Sequence, residues 1–150
     1  MNKIYEKIYP PEPDDKDIKI YQKAMSLSWV EHNSIIGKDY IYDTLMPDIL
    51  NEFKQINKVK SPYRKYNCIN KIMEYVNSLI RFNEGLDKEI GTDDITGVLI
   101  YAFIEAQPFK IFTDLEFTQI FLENNYNLAL FQSAYNYMLK IKNKDFNVTK

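Results

Sequence analysis

"GTDDITGVLIYAFIEAQP", residues 91–108, decides how this chain folds. Residues 98–104 are all apolar, which leaves no wet face over about two helical turns. Such a helix has to be buried among other elements, and Pro108 stops it after Gln107. Asp93 and Asp94 stand at its start, where the helix dipole favours negative charge. Either both carboxylates cap the helix, or one of them points at something outside the molecule.

The rest of the composition agrees with a helical core. The chain has 150 residues, 45% hydrophobic and 27% charged, enough for a single domain with a sizeable interior. With 12 Tyr and 9 Phe, much of that interior should be rings carrying a polar edge. Only 4 Gly and 6 Pro are present, too few for a turn-rich all-β fold. The expectation is an all-α, single compact layered domain of six or seven helices over residues 1–150. Its core runs from about 5 to 141, and the tail from 142 frays.

Charge and cysteine content exclude several classes of function. A net charge of −2, with only Arg64 and Arg81 among 19 basic residues, predicts no nucleic-acid binding. Cys68 is the only cysteine, so neither a disulfide nor a thiolate metal cluster forms, and it reads as a small buried hydrophobe. His32 has no second His or Cys near it, so no metal and no cofactor is expected. No apolar run reaches 18 residues and the start lacks a secretory core, which predicts a cytoplasmic protein without membrane insertion; a monomer is the expectation for its assembly. The acceptor-like "NVT" at 147–149 then carries no weight.

Around the central stretch the helices read as follows. Prolines at 10, 11 and 13 hold the entry extended, and Asp14 or Asp15 caps a helix carrying Ile18, Tyr21 and Met25 on one side. A second pattern from about 39 to 57 repeats Ile41, Leu45, Ile49, Leu50 and Phe53 at helical spacing. Pro47 either kinks that helix or marks a new start. "SPYRKYNCINKIMEYVNSLIRF", 61–82, has Ser61 as N-cap and Pro62 in the first turn, with Tyr66, Ile69, Met73, Val76 and Ile80 as its apolar stripe. "TDLE" at 113–116 has capping-box spacing for a short helix containing Leu115, Ile120 and Phe121. Asn124 and Asn125 break it, and a last helix from about 127 to 142 carries Phe131, Tyr135, Met138 and Ile141.

Covalent catalysis has no foothold here. There is no glycine-rich phosphate loop and no His–carboxylate–nucleophile set. Adjacent acids on a helix point about 100° apart, so Asp14–Asp15 and Asp93–Asp94 are not acid/base dyads. Composition and spacing alone stop at a helical interaction module.

Four stretches, in this order, resemble a vacuolar protein sorting 9 domain. "IYPPEPDDKDIKIYQKAMSLSWV" is similar to that family's proline-acid opening, which ends in "LSW". "SPYRKYNCI" resembles its "(S/T)P-x-x-K-x-x-C-I" helix start. "GTDDITGVLIYAFIEAQP" resembles its signature "ADD-x-x-P-V-L-I-Y-x-x-I-K-A-N-P". "LEFTQIF" followed by "YNLALFQSAYNYM" is similar to its close.

The resemblance implies a guanine-nucleotide exchange factor for early-endosomal GTPases of the Rab five subfamily, recruited to endosomal membranes by partners. It implies a groove for the GTPase switch regions between the helix after the aspartate pair and the last helix. The family's catalytic acid falls on Asp93 and its tyrosine on Tyr126, which leaves Asp94 as the cap. Gly97, Ile100, Ile104, Ala129, Leu130 and Ser133 fall on the GTPase-binding positions, although Ile100 and Ile104 read equally well as core. Three positions depart from the pattern: Gly97 replaces a proline, Ala129 a threonine and Glu105 a lysine. Those departures leave a second reading open, a Rab-binding module with weak or no exchange activity. The Asn-, Lys-, Ile- and Tyr-rich composition suits an A+T-rich genome, and if the source is a pathogen the target is a Rab of its host.

Overall fold

The computed structural model describes residues 8–31, 34–35, 37–122 and 125–142. His32, Asn124, residues 5–7 at the start of the expected core and the tail from Asn143, with its "NVT", lie outside the described residues. Among the described residues there are six helices and no strand, an all-α architecture as the composition predicts. They are α1 (Asp15–Ser26), α2 (Met46–Lys58), α3 (Pro62–Glu84), α4 (Thr92–Ala106), α5 (Ile111–Phe121) and α6 (Tyr126–Lys140).

Helix α4, the stretch quoted first, is the centre of the fold. It touches α1, α2, α3 and α6, and Val98, Leu99, Ala102 and Phe103 are fully buried. Rings fill the space around it: Phe103 meets Phe53 of α2 edge-on at 5.5 Å between centroids and Phe131 of α6 at 6.0 Å. Such contacts each add about 0.5–1.5 kcal/mol beyond the area they bury. The chain leaves α4 at Gln107, which takes a left-handed conformation (φ 48°) before Pro108.

Helix α3 forms as its sequence dictates. The Ser61 hydroxyl accepts from the Tyr63 and Arg64 amides, Pro62 opens the first turn, and Ile69, Met73, Val76 and Ile80 are buried. Cys68 is buried too, and the low-polarity surroundings push its thiol up to about 11.

Three local expectations are corrected. Helix α1 is capped by Asp14, but it buries Asp17, Ile20 and Ala24, while Ile18 and Met25 lie on its outer side. Two apolar stripes compete on that helix, and packing against α5 and α6 selects the other one. Helix α2 begins at Met46 with proline in its first turn, so Pro47 marks a start and Ile41 is exposed on the preceding loop. Helix α5 begins at Ile111, which places Thr113 and Asp114 inside it, with Ile120 and Phe121 exposed.

The cap that "TDLE" promised comes instead from another helix. Asp17 of α1 accepts the Thr113 amide of α5 at 3.0 Å and also the Thr113 hydroxyl. Its second oxygen also accepts the Asp14 amide at the start of its own helix. One buried carboxylate therefore satisfies amides at two helix N-termini. Asp114 is released for a buried ion pair with Lys65 of α3 at 2.9 Å, and it accepts from the Tyr9 hydroxyl at 2.7 Å. The Lys65 ammonium also donates to the Ile56 carbonyl at 2.7 Å. Desolvation still holds the Asp114 carboxyl above the usual carboxylate range, against the pull of Lys65.

Candidate functional site

The two aspartates at the start of α4 have different surroundings. Asp94 is the third residue of the helix, and its Oδ2 accepts the Gly91 amide at 3.3 Å, which satisfies a donor before the first turn. Its carboxylate also meets the ammonium groups of Lys38 at 3.4 Å and Lys88 at 3.7 Å. Both lysines pair with Glu84 at the end of α3, Lys38 at 2.8 Å and Lys88 at 3.4 Å. The Tyr40 hydroxyl donates to Glu84 as well. Lys38 first, and then Tyr40, hold the Glu84 carboxyl down to about 2. The cluster ties the loop before α2, which carries Lys38 and Tyr40, and the loop between α3 and α4, which carries Lys88, to the start of α4.

Asp93, one residue earlier, is exposed, and its side chain has no hydrogen bond or ion pair among the described residues. Its backbone is fixed by a helix whose next turns are in the core. A free carboxylate on a rigid mount can meet an external cation without first breaking an internal contact.

The other candidates divide by burial. Gly97 is half-buried one turn after Asp93, on the same side. Ile100 and Ile104 are 2% exposed and belong to the core, the second of the two readings open for them. A helical wheel assigns an angle, but not the neighbour that covers it. On the accessible side, α4 continues from Gly97 to the half-buried Tyr101, whose ring stands 4.7 Å from that of Tyr42.

On α6, Asn125 is the N-cap and accepts the Leu128 amide at 3.2 Å. Tyr126 is therefore the first helical residue, and at 66% exposed its ring is presented outward. Ala129 and Ser133 are exposed at three and seven residues further on, which places all three on one face. Leu130 is 4% exposed and packs inward. Tyr137 extends the exposed face by another turn and was not singled out from the sequence. Its signal was there, four residues after Ser133.

The two ends of this surface lie apart. Helix α3 serves as a ruler: Glu84 shares Lys38 and Lys88 with Asp94, whereas Asn70 accepts from Asn127, the neighbour of Tyr126, at 2.7 Å. Asn70 and Glu84 are 14 residues apart on α3, so these anchor points are about 20 Å apart at 1.5 Å per residue. Asp93 and Tyr126 do not form a dyad. They are two stations on the exposed edges of α4 and α6, helices that pack on one another. Among the described residues no group of His, Cys, Asp and Glu is arranged to hold a metal, and no helix is long and apolar enough to cross a membrane.

Known proteins share this sequence pattern. Vacuolar protein sorting-associated protein 9A of Oryza sativa subsp. japonica is 26% identical over 125 residues, 79% of this chain and 26% of that protein. Receptor-mediated endocytosis protein 6 of Caenorhabditis briggsae is 25% identical over 128 residues, 81% of this chain and 12% of that protein. GTPase-activating protein and VPS9 domain-containing protein 1 of Homo sapiens is 26% identical over 129 residues, 81% of this chain and 9% of that protein. The chain thus spans about a quarter or less of the length of these curated relatives. The profile of the vacuolar sorting protein 9 (VPS9) domain matches residues 46–143, from the start of α2 past the end of α6, and by that match over more than half its length the chain belongs to the VPS9 domain family.

Proposed function

We propose that this chain is a guanine-nucleotide exchange factor for a small GTPase of the Rab type, in the early-endosomal (Rab five) subfamily. The observation that carries this reading is the division of labour at the start of α4: Asp94 is engaged by an amide and two lysines, while Asp93 is exposed and unengaged. Membership of the VPS9 family supports it further.

A small GTPase holds its nucleotide through a phosphate-loop lysine and through Mg²⁺ on the β- and γ-phosphates. In the proposed complex the Asp93 carboxylate enters that site, pairs with the lysine and repels phosphate and the metal's own ligands. No covalent bond forms or breaks. The effect is strongest where water is excluded, since the interaction scales inversely with the local dielectric. Because Asp93 binds the nucleotide-free form better than the loaded one, it shifts the population toward release. Tyr126, Ala129 and Ser133 on α6 and Gly97 on α4 line the docking surface, with Tyr126 as its aromatic anchor. Ile100, Ile104 and Leu130 support those helices from behind.

The second reading is a Rab-binding module with little exchange activity. It rests on Gly97 and Ala129, which offer less contact surface than the proline and threonine of the family pattern. The two readings part on release of a fluorescent GDP analogue from purified Rab GTPases, with the native chain set beside Asp93→Ala. Acceleration that the variant loses supports exchange. Capture of nucleotide-free Rab without acceleration supports the module. If neither protein accelerates release or captures any Rab, both readings fall.

A further inference from the structure

At the opposite end of α4 from Asp93, the second half of α2, the last residues of α4 and the turn into α5 enclose a pocket of about 400 Å³. That volume lies in the range of small-molecule sites. Leu50 and Phe53 of α2, Ala106 of α4 and Ile111 of α5 give it apolar walls. Lys54 and Lys58 also line it, one turn apart on α2. Both are exposed, and neither has an ion pair among the described residues.

The remaining charges do not cancel these two cations. Asp114 lies in the wall, but it is already paired with Lys65 and accepts from Tyr9. Glu105 also lines the pocket, on its α4 side next to Tyr101, and is a single carboxylate set against the three ammonium groups of Lys54, Lys58 and Lys110. A third ammonium, Lys110, is buried in the wall and donates to the Pro10 carbonyl at 2.7 Å. The pocket thus combines apolar walls with two uncommitted positive charges on one side.

We infer that this pocket binds a small organic anion, an apolar body buried against Phe53 and Ile111 with its head on Lys54 and Lys58. A neutral amphiphile would leave both ammonium groups unused, and a cationic one would face them. The pocket is about a dozen residues along α4 from Asp93, about 18 Å at 1.5 Å per residue, so it does not depend on the exchange reading.

The test is a titration of the full, isotopically labelled chain with octanoate, octyl phosphate, octanol and octylammonium, following backbone amides by nuclear magnetic resonance. Both anions should give saturating shifts confined to residues 50–58 and 105–114, and octanol and octylammonium should bind more weakly. Preference for either anion assigns the head as carboxylate or phosphate. The double variant Lys54→Glu/Lys58→Glu should weaken anion binding about tenfold or more, through two partly screened charges. Both positions are exposed, so its thermal unfolding should match the native chain. Ala106→Leu, which fills the pocket without changing charge, should weaken both anions as well. The inference is overturned by the absence of saturating shifts with either anion, by equal binding of octylammonium, or by a double variant that binds like the native chain. Saturation of the same amides by a tetraglutamate peptide when both octyl anions fail would also overturn it.

Discussion

The starts of α4 and α5 both carry acidic residues, and they use them differently. At the start of α5, Asp17 and Asp114 are 0% and 2% exposed, and every carboxylate is engaged by an amide, a hydroxyl or the Lys65 ammonium. At the start of α4, Asp94 is engaged in the same manner, but its neighbour Asp93 is exposed and without a partner among the described residues. A saturated carboxylate in the interior secures the fold and has nothing left to offer a partner. An unsaturated one on a rigid helix adds little to stability and remains available. Stability and function are thus separated onto different aspartates.

The largest effect should come from the buried site. Lys65→Met leaves Asp114 as an unpaired buried charge and should lower unfolding free energy by about 3–5 kcal/mol, measured by urea denaturation. Adding Asp114→Leu should restore much of that loss, since an apolar pair of similar volume replaces both charges. If the double variant is no more stable than the single one, the pair has a role beyond charge compensation.

Asp93→Ala should do the reverse. Urea denaturation should change by no more than about 0.5 kcal/mol, as for an ordinary surface substitution. Acceleration of GDP release should fall about a hundredfold or more, the scale on which one preorganised electrostatic contact acts. A variant destabilised as much as Lys65→Met would place Asp93 with the structural acids and erase the contrast.

Asp94→Ala falls between them, with a loss of about 1 kcal/mol of stability from the missing cap. Its exchange activity per folded molecule should stay well above that of Asp93→Ala. Equal losses of activity would mean that the pair works as a unit.

The smallest effect is in pH dependence, where the two regions differ in sign. The Glu84 carboxyl is held down to about 2 in the folded protein. Its contribution is therefore complete above the ordinary value of 4.5 and is lost as pH falls from 4.5 towards 2. The Asp114 carboxyl is raised by burial, so the folded state binds its proton more readily and stability declines as pH rises above 3.8 through the folded value. Glu84→Gln should flatten the acid limb of a stability–pH curve while leaving the Asp114 limb in place. An unchanged acid limb would show that the Lys38–Glu84 pair is too well solvated to matter.

What was legible in the sequence follows from what is local. The Ser61 cap, the Pro62 start and the buried stripe of α3 need only neighbours within a few residues, and all of them formed. The seven-residue apolar run of α4 likewise allowed only a central position. Where two local solutions competed, the reading failed. On α1 the Ile18–Met25 stripe and the Ile20–Ala24 stripe are both helical in period, and only contact with α5 and α6 decides between them. "TDLE" had the spacing of a capping box, yet Asp17, 96 residues earlier, already supplies the Thr113 amide with an acceptor.

The sequence by itself determined the all-α class, the burial of α4 and the presence of an acidic pair at its start, because periodicity, capping and hydrophobic run length act over one or two turns. The resemblance pointed to Asp93 as the outward acid and Asp94 as the cap, but only the tertiary structure decided which side chains engage Asp94. Lys38 is 56 residues from Asp94 and Glu84 lies on a different helix, so no pattern within a turn or two could reveal that they claim one carboxylate and leave the other. The same holds for Ile100 and Ile104. Their spacing placed them in line with Asp93, but the surrounding helices bury them, since burial depends on what packs against a face and not on its angle around the helix.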